Sequence, residues 1–220
     1  MVEIMKIIEL NKSITESNDR DADDLRSKLK SEGVTLINLM SSPGSGKTTL
    51  LRRTVKDMDD VKIGVIEADI ASDVDAVRME ESGAVAVQAH TDGMCHMDAG
   101  MTARSLGALG TDGLKLVFLE NVGNLICPAE FDTGAAKNVM ILSIPEGDDK
   151  PLKYPLMFEK SDVLLITKID TAQYFTFDIE TCRERALKLN PDIKVFPVSA
   201  RTGEGMASWE KWLRGIVGDL

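Results

Sequence analysis

Basic residues are scarce in this chain: 26 Lys and Arg stand against 36 Asp and Glu, a formal charge of −10. The average field repels phosphate, which argues against general binding to nucleic acid or to an anionic membrane surface. Any phosphate site must therefore be local and built from backbone N–H groups. Long apolar runs are also missing, and none approaches the roughly 20 residues that cross a bilayer. The opening "MVEIMKIIEL" carries Glu3 and Glu9 and lacks a basic segment, unlike a secretory signal. Cysteine is rare, with residues 95, 127 and 182 the three in the chain, and they do not suggest a disulfide framework. The expectation is a cytoplasmic protein whose thiols are available to a metal.

What is present is a regular alternation. With 220 residues the chain has length for one well-filled domain. Residues 1 to about 32 read as helical: Ile4, Ile7 and Ile8 lie at helical spacing, Leu25 and Leu29 are four apart, and Gly33 is a stop. The acidic "ESNDRDADD" within it marks a solvated face or a break. Seven short runs rich in Val, Ile and Leu follow, at 34–40, 61–68, 84–89, 114–120, 138–144, 162–167 and 193–199. They are nearly continuous rather than alternating, as strands covered on both faces are. Helical stretches at 47–58, 73–82, 95–108, 178–189 and 205–217 lie between many of them. This pattern predicts an α/β fold with a mostly parallel central sheet between two helical layers, and a helical extension over residues 1–33 ahead of a single domain at 34–220.

"VTLINLMSSPGSGKTTLL" sets a strand, a glycine-containing loop, Lys47-Thr48 and a helix start in consecutive order, the context of a P-loop. Gly44 and Gly46 let the backbone turn its N–H groups inward, and the helix N-terminus adds positive potential. Gly44, Ser45, Gly46, Lys47, Thr48 and Thr49 are the phosphate-binding candidates. Lys47 would reach the β- and γ-phosphates and the Thr48 hydroxyl would bind Mg²⁺. Ser41 takes the first glycine position of the usual G-x-x-x-x-G-K-[ST], a position read here as only opening the loop.

"LLITKID" resembles the guanine-recognition motif of GTPases. Asp170 can accept hydrogen bonds from the N1–H and the N2 amino group of guanine, whereas adenine offers neither donor there. Each lost bond to a charged group costs roughly 1.5–3 kcal/mol, so GTP is preferred to ATP. Lys168 would lay its stem along the loop or the base, and Thr167 stands where asparagine is commoner. "VSARTGEG" supplies a second base loop, with Ser199, Ala200 and Arg201; the Ala200 N–H faces guanine O6 in this reading. The fourth run ends Glu120-Asn121-Val122-Gly123, with Glu120 near Mg²⁺ and the Gly123 N–H near the γ-phosphate. Asp69, after the second run, is placed to join that Mg²⁺ shell with Thr48 and Glu120. Asp73 or Asp75 would lie on a mobile segment beyond it, and either could instead cap the next helix. The catalytic candidates are Lys47, Thr48, Asp69, Asp75 and Glu120.

"HTDGMCHMDAG" and "NLICPAEF" are both connections leaving the carboxyl ends of strands, where α/β proteins bind ligands. A helix beginning at Cys95 would favour its thiolate, and Pro128 would hold Cys127 in extended chain. From spacing alone, two cysteines and a histidine leave a tetrahedral site incomplete. Cys182 shares a helix face with Ile179, Ala186 and Leu189 and reads as core, and His90 has no partner pattern.

"NLMSSPGSGKTTLL", "CHMDA", "ENVGNLICPAEFD", "EGDDKPLKYPLMF" and "TKID" together resemble the HypB family, GTPases that deliver nickel in [NiFe]-hydrogenase maturation. The resemblance implies a SIMIBI-class P-loop fold, slow GTP hydrolysis to GDP, and Ni²⁺ or Zn²⁺ held by Cys95, His96 and Cys127. It also implies a homodimer under nucleotide control with the metal at the subunit interface. The implied partners are a HypA-type nickel chaperone and the hydrogenase large subunit, with neither nucleic acid nor membrane. Two departures argue against a metal-storage role: the chain has no cysteine-rich or histidine-rich N-terminal tract, and Gly100 and Met101 stand where some relatives have a second histidine. The competing readings are a urease-type accessory GTPase, which the run Cys127-Pro128-Ala129 disfavours against the C-P-H of that group, and a P-loop kinase or ATPase without a metal role.

Overall fold

The computed structural model describes residues 2–68 and 82–218. Among them all seven expected strands form: β1 (Thr35–Ser41), β2 (Ile63–Glu67), β3 (Val85–Gln88), β4 (Leu116–Glu120), β5 (Lys137–Ser143), β6 (Val163–Thr167) and β7 (Lys194–Pro197). They make one sheet in the order β3-β2-β4-β1-β5-β6-β7, and every neighbouring pair is parallel. The helices are α1 (Val2–Glu32), α2 (Lys47–Asp57), α3 (Ala99–Leu109), α4 (Cys127–Glu130), α5 (Lys150–Lys153), α6 (Pro155–Glu159), α7 (Ile179–Leu189) and α8 (Met206–Gly218). None is long and apolar enough to cross a membrane.

Burial explains why the strands read as unbroken apolar runs. Successive side chains of a strand face opposite sides, and here helices cover both. Ile37 and Leu39 of β1, with Leu116 and Phe118 of β4, pack under Leu50, Leu51 and Val55 of α2 and Trp209 and Leu213 of α8. On the opposite face Leu36, Val117 and Leu119 meet Leu25 and Leu29 of α1 and Leu106 of α3. Met140, Leu142, Leu164 and Ile166 meet Met157, Phe158, Cys182 and Ala186 on the same side of the sheet. The connections leaving the neighbouring strands β1 and β5 run in opposite directions across the sheet, toward β2 and toward β6, so the loop from β1 to α2 opens at a switch point, where open α/β sheets bind ligands.

α1 settles the reading of the acidic stretch in favour of a solvated face. Asn18, Ala22, Leu25 and Leu29 are buried and recur at helical spacing, while Asp19, Asp21, Asp23 and Asp24 are exposed. The helix runs through without a break and ends at Gly33, whose φ of 67° accompanies a bond from the Val34 N–H to the Leu29 carbonyl (3.0 Å). Residues 73–81 of the expected helix 73–82 lie outside the described residues. The expected helix at 95–108 starts later, at Ala99, because the Asp98 side chain accepts from the Met101 N–H (2.7 Å) and caps it there.

Because Leu29 sits in a core shared by α1, α3 and the sheet, Leu29→Ala is expected to cost about 2–5 kcal/mol. Urea unfolding followed by circular dichroism checks this; a loss below about 1 kcal/mol would show α1 to be only loosely attached.

Candidate functional site

The loop between β1 and α2 has the geometry of a phosphate cradle. Gly44 and Gly46 take φ of 75° and 97°, values that side-chain-bearing residues rarely adopt. No side chain caps α2, so its first-turn N–H groups point to where an anion would sit. Ser41 does more than open this loop, which corrects the reading of its sequence. Its buried hydroxyl accepts from Lys47 Nζ (3.0 Å) and Ser45 Oγ (2.7 Å) and donates to the Ser42 carbonyl (2.8 Å). A glycine at that position could make none of these bonds. Ser42 Oγ in turn donates to Glu146, whose other oxygen accepts from the Ser143 N–H (2.7 Å) and hydroxyl (2.6 Å). The "EGDDK" stretch thus braces the loop from β5, and its Asp148 pairs with Arg185 (2.6 Å). Lys153 pairs with Asp149 at the surface (2.5 Å), and Lys150 lies over the Tyr154 ring.

The two base-loop motifs converge beside this cradle. Thr167 Oγ1 donates to the Ser45 carbonyl (2.8 Å), and Lys168 Nζ to the Gly44 carbonyl (2.6 Å), so the motif after β6 is tied to the phosphate loop. Thr167 therefore serves the loop. The Asp170 carboxylate accepts from Ser199 Oγ (2.5 Å) and Arg201 Nε (2.8 Å). The Ser199 hydroxyl first, and the Arg201 guanidinium after it, hold the Asp170 carboxyl below its ordinary value, so it is ionised and acceptor-only at neutral pH. Ser45, Gly46, Thr49, Lys168, Asp170 and Ala200 line a cavity of about 270 Å³ next to it.

Glu120 lies at the carboxyl end of β4, buried, and its Oε1 accepts from the Thr48 hydroxyl (3.0 Å). A hydroxyl and a carboxylate side by side at the mouth of a phosphate loop are a hard-oxygen donor set that suits Mg²⁺. Gly123, three residues on, lies so close to the loop that a Cβ would come within 3.1 Å of the Pro43 backbone nitrogen, so any side chain there would crowd the phosphate loop. Glu67 was missed from sequence: it is buried and stands in register with Glu120 on the adjacent strand. The signal was present, since a glutamate follows the apolar residues of the second run as Glu120 follows those of the fourth. Asp69, Asp73 and Asp75 lie outside the described residues.

Cys95, His96 and Cys127, from two separate connections, bring their ligand atoms within 4.8 Å of one another. The two sulfurs are 2.7 Å apart, and Cys95 Sγ is 3.7 Å from His96 Nδ1. The His96 ring stacks on Phe131 (centroids 3.8 Å apart, planes 11° apart). Burial pushes the His96 pKa down, which keeps the imidazole neutral and free to ligate. The bond with Cys95 and then burial push the Cys127 thiol up. Two sulfurs and a nitrogen suit a soft or borderline ion such as Ni²⁺ or Zn²⁺ and leave one tetrahedral position open. Metal–sulfur bonds of about 2.3 Å require the sulfurs to part somewhat on binding.

Two local expectations fail here. Cys95 precedes α3 by four residues, so no helix N-terminus acts on it. Cys127 is not in an extended loop but opens the short α4, with Pro128 in the first turn, where a missing N–H is harmless. Asn124 Oδ1 accepts from the N–H groups of Ile126 (2.7 Å) and Cys127 (3.3 Å) and fixes that turn. Cys182 is core, as its helix face indicates, with its thiol pushed up to about 12 by burial. His90 is exposed.

Asn18 of α1, unremarkable in sequence, clamps both segments that carry the thiol–imidazole cluster. Its Oδ1 accepts from the Ala99 N–H (3.0 Å) and its Nδ2 donates to the Asp132 carbonyl (2.9 Å). Arg26 reinforces this with two bonds to the Asp132 carboxylate (2.8 and 2.9 Å).

A parallel sheet with this cradle, a guanine-type base loop and a thiol–imidazole cluster defines a P-loop nucleotide-binding protein with a candidate metal site. Residues 35–197 match the family model for the CobW/HypB/UreG nucleotide-binding domain. The hydrogenase maturation factor HypB of Azotobacter chroococcum is 47% identical over 210 residues, 94% of this chain and 68% of that protein. The crystal structure of the Archaeoglobus fulgidus factor superimposes with a TM-score of 0.86 at 36% identity, over 92% of this chain and 99% of that one. The HypB structure of Helicobacter pylori in complex with nickel gives the same TM-score and identity over 92% and 96%. The 54 kDa signal recognition particle protein of Aeropyrum pernix shares the fold alone, at a TM-score of 0.55 and 16% identity over 76% of this chain and 41% of that one. The chain belongs to the CobW/HypB/UreG family, in its branch of HypB hydrogenase maturation factors.

Asn18→Ala would leave the buried Ala99 N–H without its acceptor, a loss of about 1–3 kcal/mol. A thermal melt checks the loss, and nickel titration of the same variant is expected to show weaker binding; unchanged stability would contradict the clamp.

Proposed function

We propose that this chain is a GTPase that carries nickel for [NiFe]-hydrogenase maturation and loads or releases it according to the bound nucleotide. The observation that carries the reading is covalent: one segment, Glu120 to Cys127, runs from the hydroxyl of Thr48 on the phosphate loop to a sulfur of the thiol–imidazole cluster. In support, Met94 and Ile126, neighbours of the two cysteines, are exposed apolar side chains beside an incomplete ligand set. A second subunit docking there would cover them and close the site, giving a homodimer with nickel at its interface. Zn²⁺ would use the same ligands.

In this reading residues 34–220 are the GTPase domain, and residues 1–33 are a helical extension that braces the metal loops. The base lies against Lys168 and Asp170, with Ser199 and Arg201 orienting the carboxylate and the Ala200 N–H near guanine O6. Gly44, Ser45, Gly46 and Thr49 offer backbone N–H groups to the phosphates, and the Lys47 ammonium balances their charge. Thr48, Glu120 and Asp69 would hold Mg²⁺, which supplies charge stabilisation on the phosphates. Water attacks the γ-phosphorus, the bond to the β–γ bridging oxygen breaks, and GDP and phosphate leave. No glutamine or arginine finger is evident in the described residues, so the isolated chain turns over slowly. Asp75 would join the site from its own segment, and the Gly123 N–H would follow the γ-phosphate. Partners in the cytoplasm would be a HypA-type nickel chaperone and the hydrogenase large subunit.

Two measurements test this. Asp170→Asn keeps one acceptor but turns an amide donor toward guanine N2, so GTP affinity is expected to fall about tenfold to a hundredfold; an unchanged preference for GTP over ATP would remove Asp170 from the base site. Ni²⁺ titration by calorimetry, with particle mass in parallel, is expected to differ between GDP and a non-hydrolysable GTP analogue and to vanish in Cys127→Ala. Equal binding in both nucleotide states would reject nucleotide control.

A further inference from the structure

The nucleotide-sensing carboxylate and the metal cluster lie on opposite faces of the sheet, so something has to cross it. Glu120 faces α2 with Leu116 and Phe118, while Asn121 continues the other face with Val117 and Leu119. Asn121 is fully buried, and its backbone N–H is anchored to the Leu39 carbonyl of β1 (3.1 Å). Its side-chain oxygen accepts from two backbone N–H groups, those of Val122 (2.8 Å) and Met97 (3.1 Å). Two donors facing one atom fix which end of the amide is the oxygen. The amide nitrogen donates to Asn38 Oδ1 (3.0 Å), and Asn38 Nδ2 donates to Asn138 Oδ1 (3.0 Å). A ladder of three amides thus spans β5, β1 and the end of β4 and terminates on the backbone of Met97, the residue after His96.

We infer that Asn121 is the positioning residue through which the nucleotide state sets the metal ligand His96. Met97 is 0% exposed, and its N–H has no water to turn to, so the bond to Asn121 decides where the start of the Cys95–Asp98 loop lies. When Glu120 shifts with the Thr48 hydroxyl it accepts from, the next residue must move with it. The Asn121 oxygen then carries the Met97 N–H, and with it His96 on its Phe131 platform. Cys127 is reached separately, along the chain. The cluster has ligands on both routes, and their relative placement changes when only one end of the ladder is held by β1 and β5. This inference rests on the nickel and GTP reading above.

The test compares the ratio of nickel dissociation constants in GDP and in a non-hydrolysable GTP analogue, for wild type, Asn121→Ala and Asn38→Ala. Wild type is expected to show a ratio of about 5-fold or more, in whichever direction. Asn121→Ala is expected to bring it close to one while still binding nickel and nucleotide. Asn38→Ala breaks the same ladder and lowers the melting temperature comparably, yet keeps the bond to Met97, and is expected to retain most of the ratio. A purely structural role for Asn121 would move stability in both variants and the ratio in neither. A wild-type ratio preserved in Asn121→Ala overturns the inference and leaves the function standing. A ratio of one in wild type overturns both. Should Asn121→Ala fail to fold, hydrogen exchange of the Met97 amide in wild type decides: its protection is expected to differ between the two nucleotides, and equal protection overturns the inference.

Discussion

An extended chain turns successive side chains to opposite faces, and the carboxyl end of β4 uses that alternation to serve two sites. Glu120 goes to the face of α2, against Thr48, and Asn121 goes to the face of α1 and α3, against Met97. Because β4 is hydrogen-bonded between β1 and β2, the two residues are held together at the strand end, so a shift of Glu120 is passed on to Asn121. The segment beyond it is held just as tightly: Gly123 sits on Pro43, and Asn124 caps the turn that presents Cys127. The result is a short, well-tied path with a hard-oxygen site at one end and a soft sulfur–nitrogen site at the other.

Around this path the polar side chains act mainly on loops. Ser41 holds Lys47 and Ser45, Glu146 holds Ser42, and Thr167 and Lys168 hold the carbonyls of Ser45 and Gly44. On the side of the thiol–imidazole cluster Asn18 and Arg26 of α1 grip the segments after His96 and after Cys127. Loops that would otherwise be free to choose among conformations are thereby ordered before any ligand arrives, which lowers the entropy lost on binding.

The fold was largely legible because apolar runs buried on both faces leave a strong mark, and all seven strands were located from them. Element starts were less legible. Asp98 moves the start of α3 past Cys95 by capping it, a choice made by one side-chain bond rather than by periodicity. In the same way Pro128 looked like a residue of extended chain, yet it sits in a first turn that Asn124 completes. The site was legible where chemistry requires a residue type at a fixed spacing, as in the phosphate loop, Asp170 and the two cysteines with His96. It was not legible where an asparagine acts through the backbone. Asn18 and Asn121 leave no pattern of their own, because they act on backbone N–H and C=O groups that every residue has, and Asn38 only links the amides of Asn121 and Asn138 across strands whose pairing the sequence does not display. Glu67 stayed hidden for another reason: its significance lies in its register with Glu120, which only strand pairing reveals.

The central claim is that the state of the phosphate site alters the ligand geometry at Cys95, His96 and Cys127. Nickel-edge X-ray absorption of the loaded protein, recorded with GDP and with a non-hydrolysable GTP analogue, addresses it most directly. The account predicts two sulfur ligands and one imidazole from each chain in one state, and a changed sulfur-to-nitrogen ratio or coordination number in the other. Identical spectra in both states, with nickel bound in each, would contradict it.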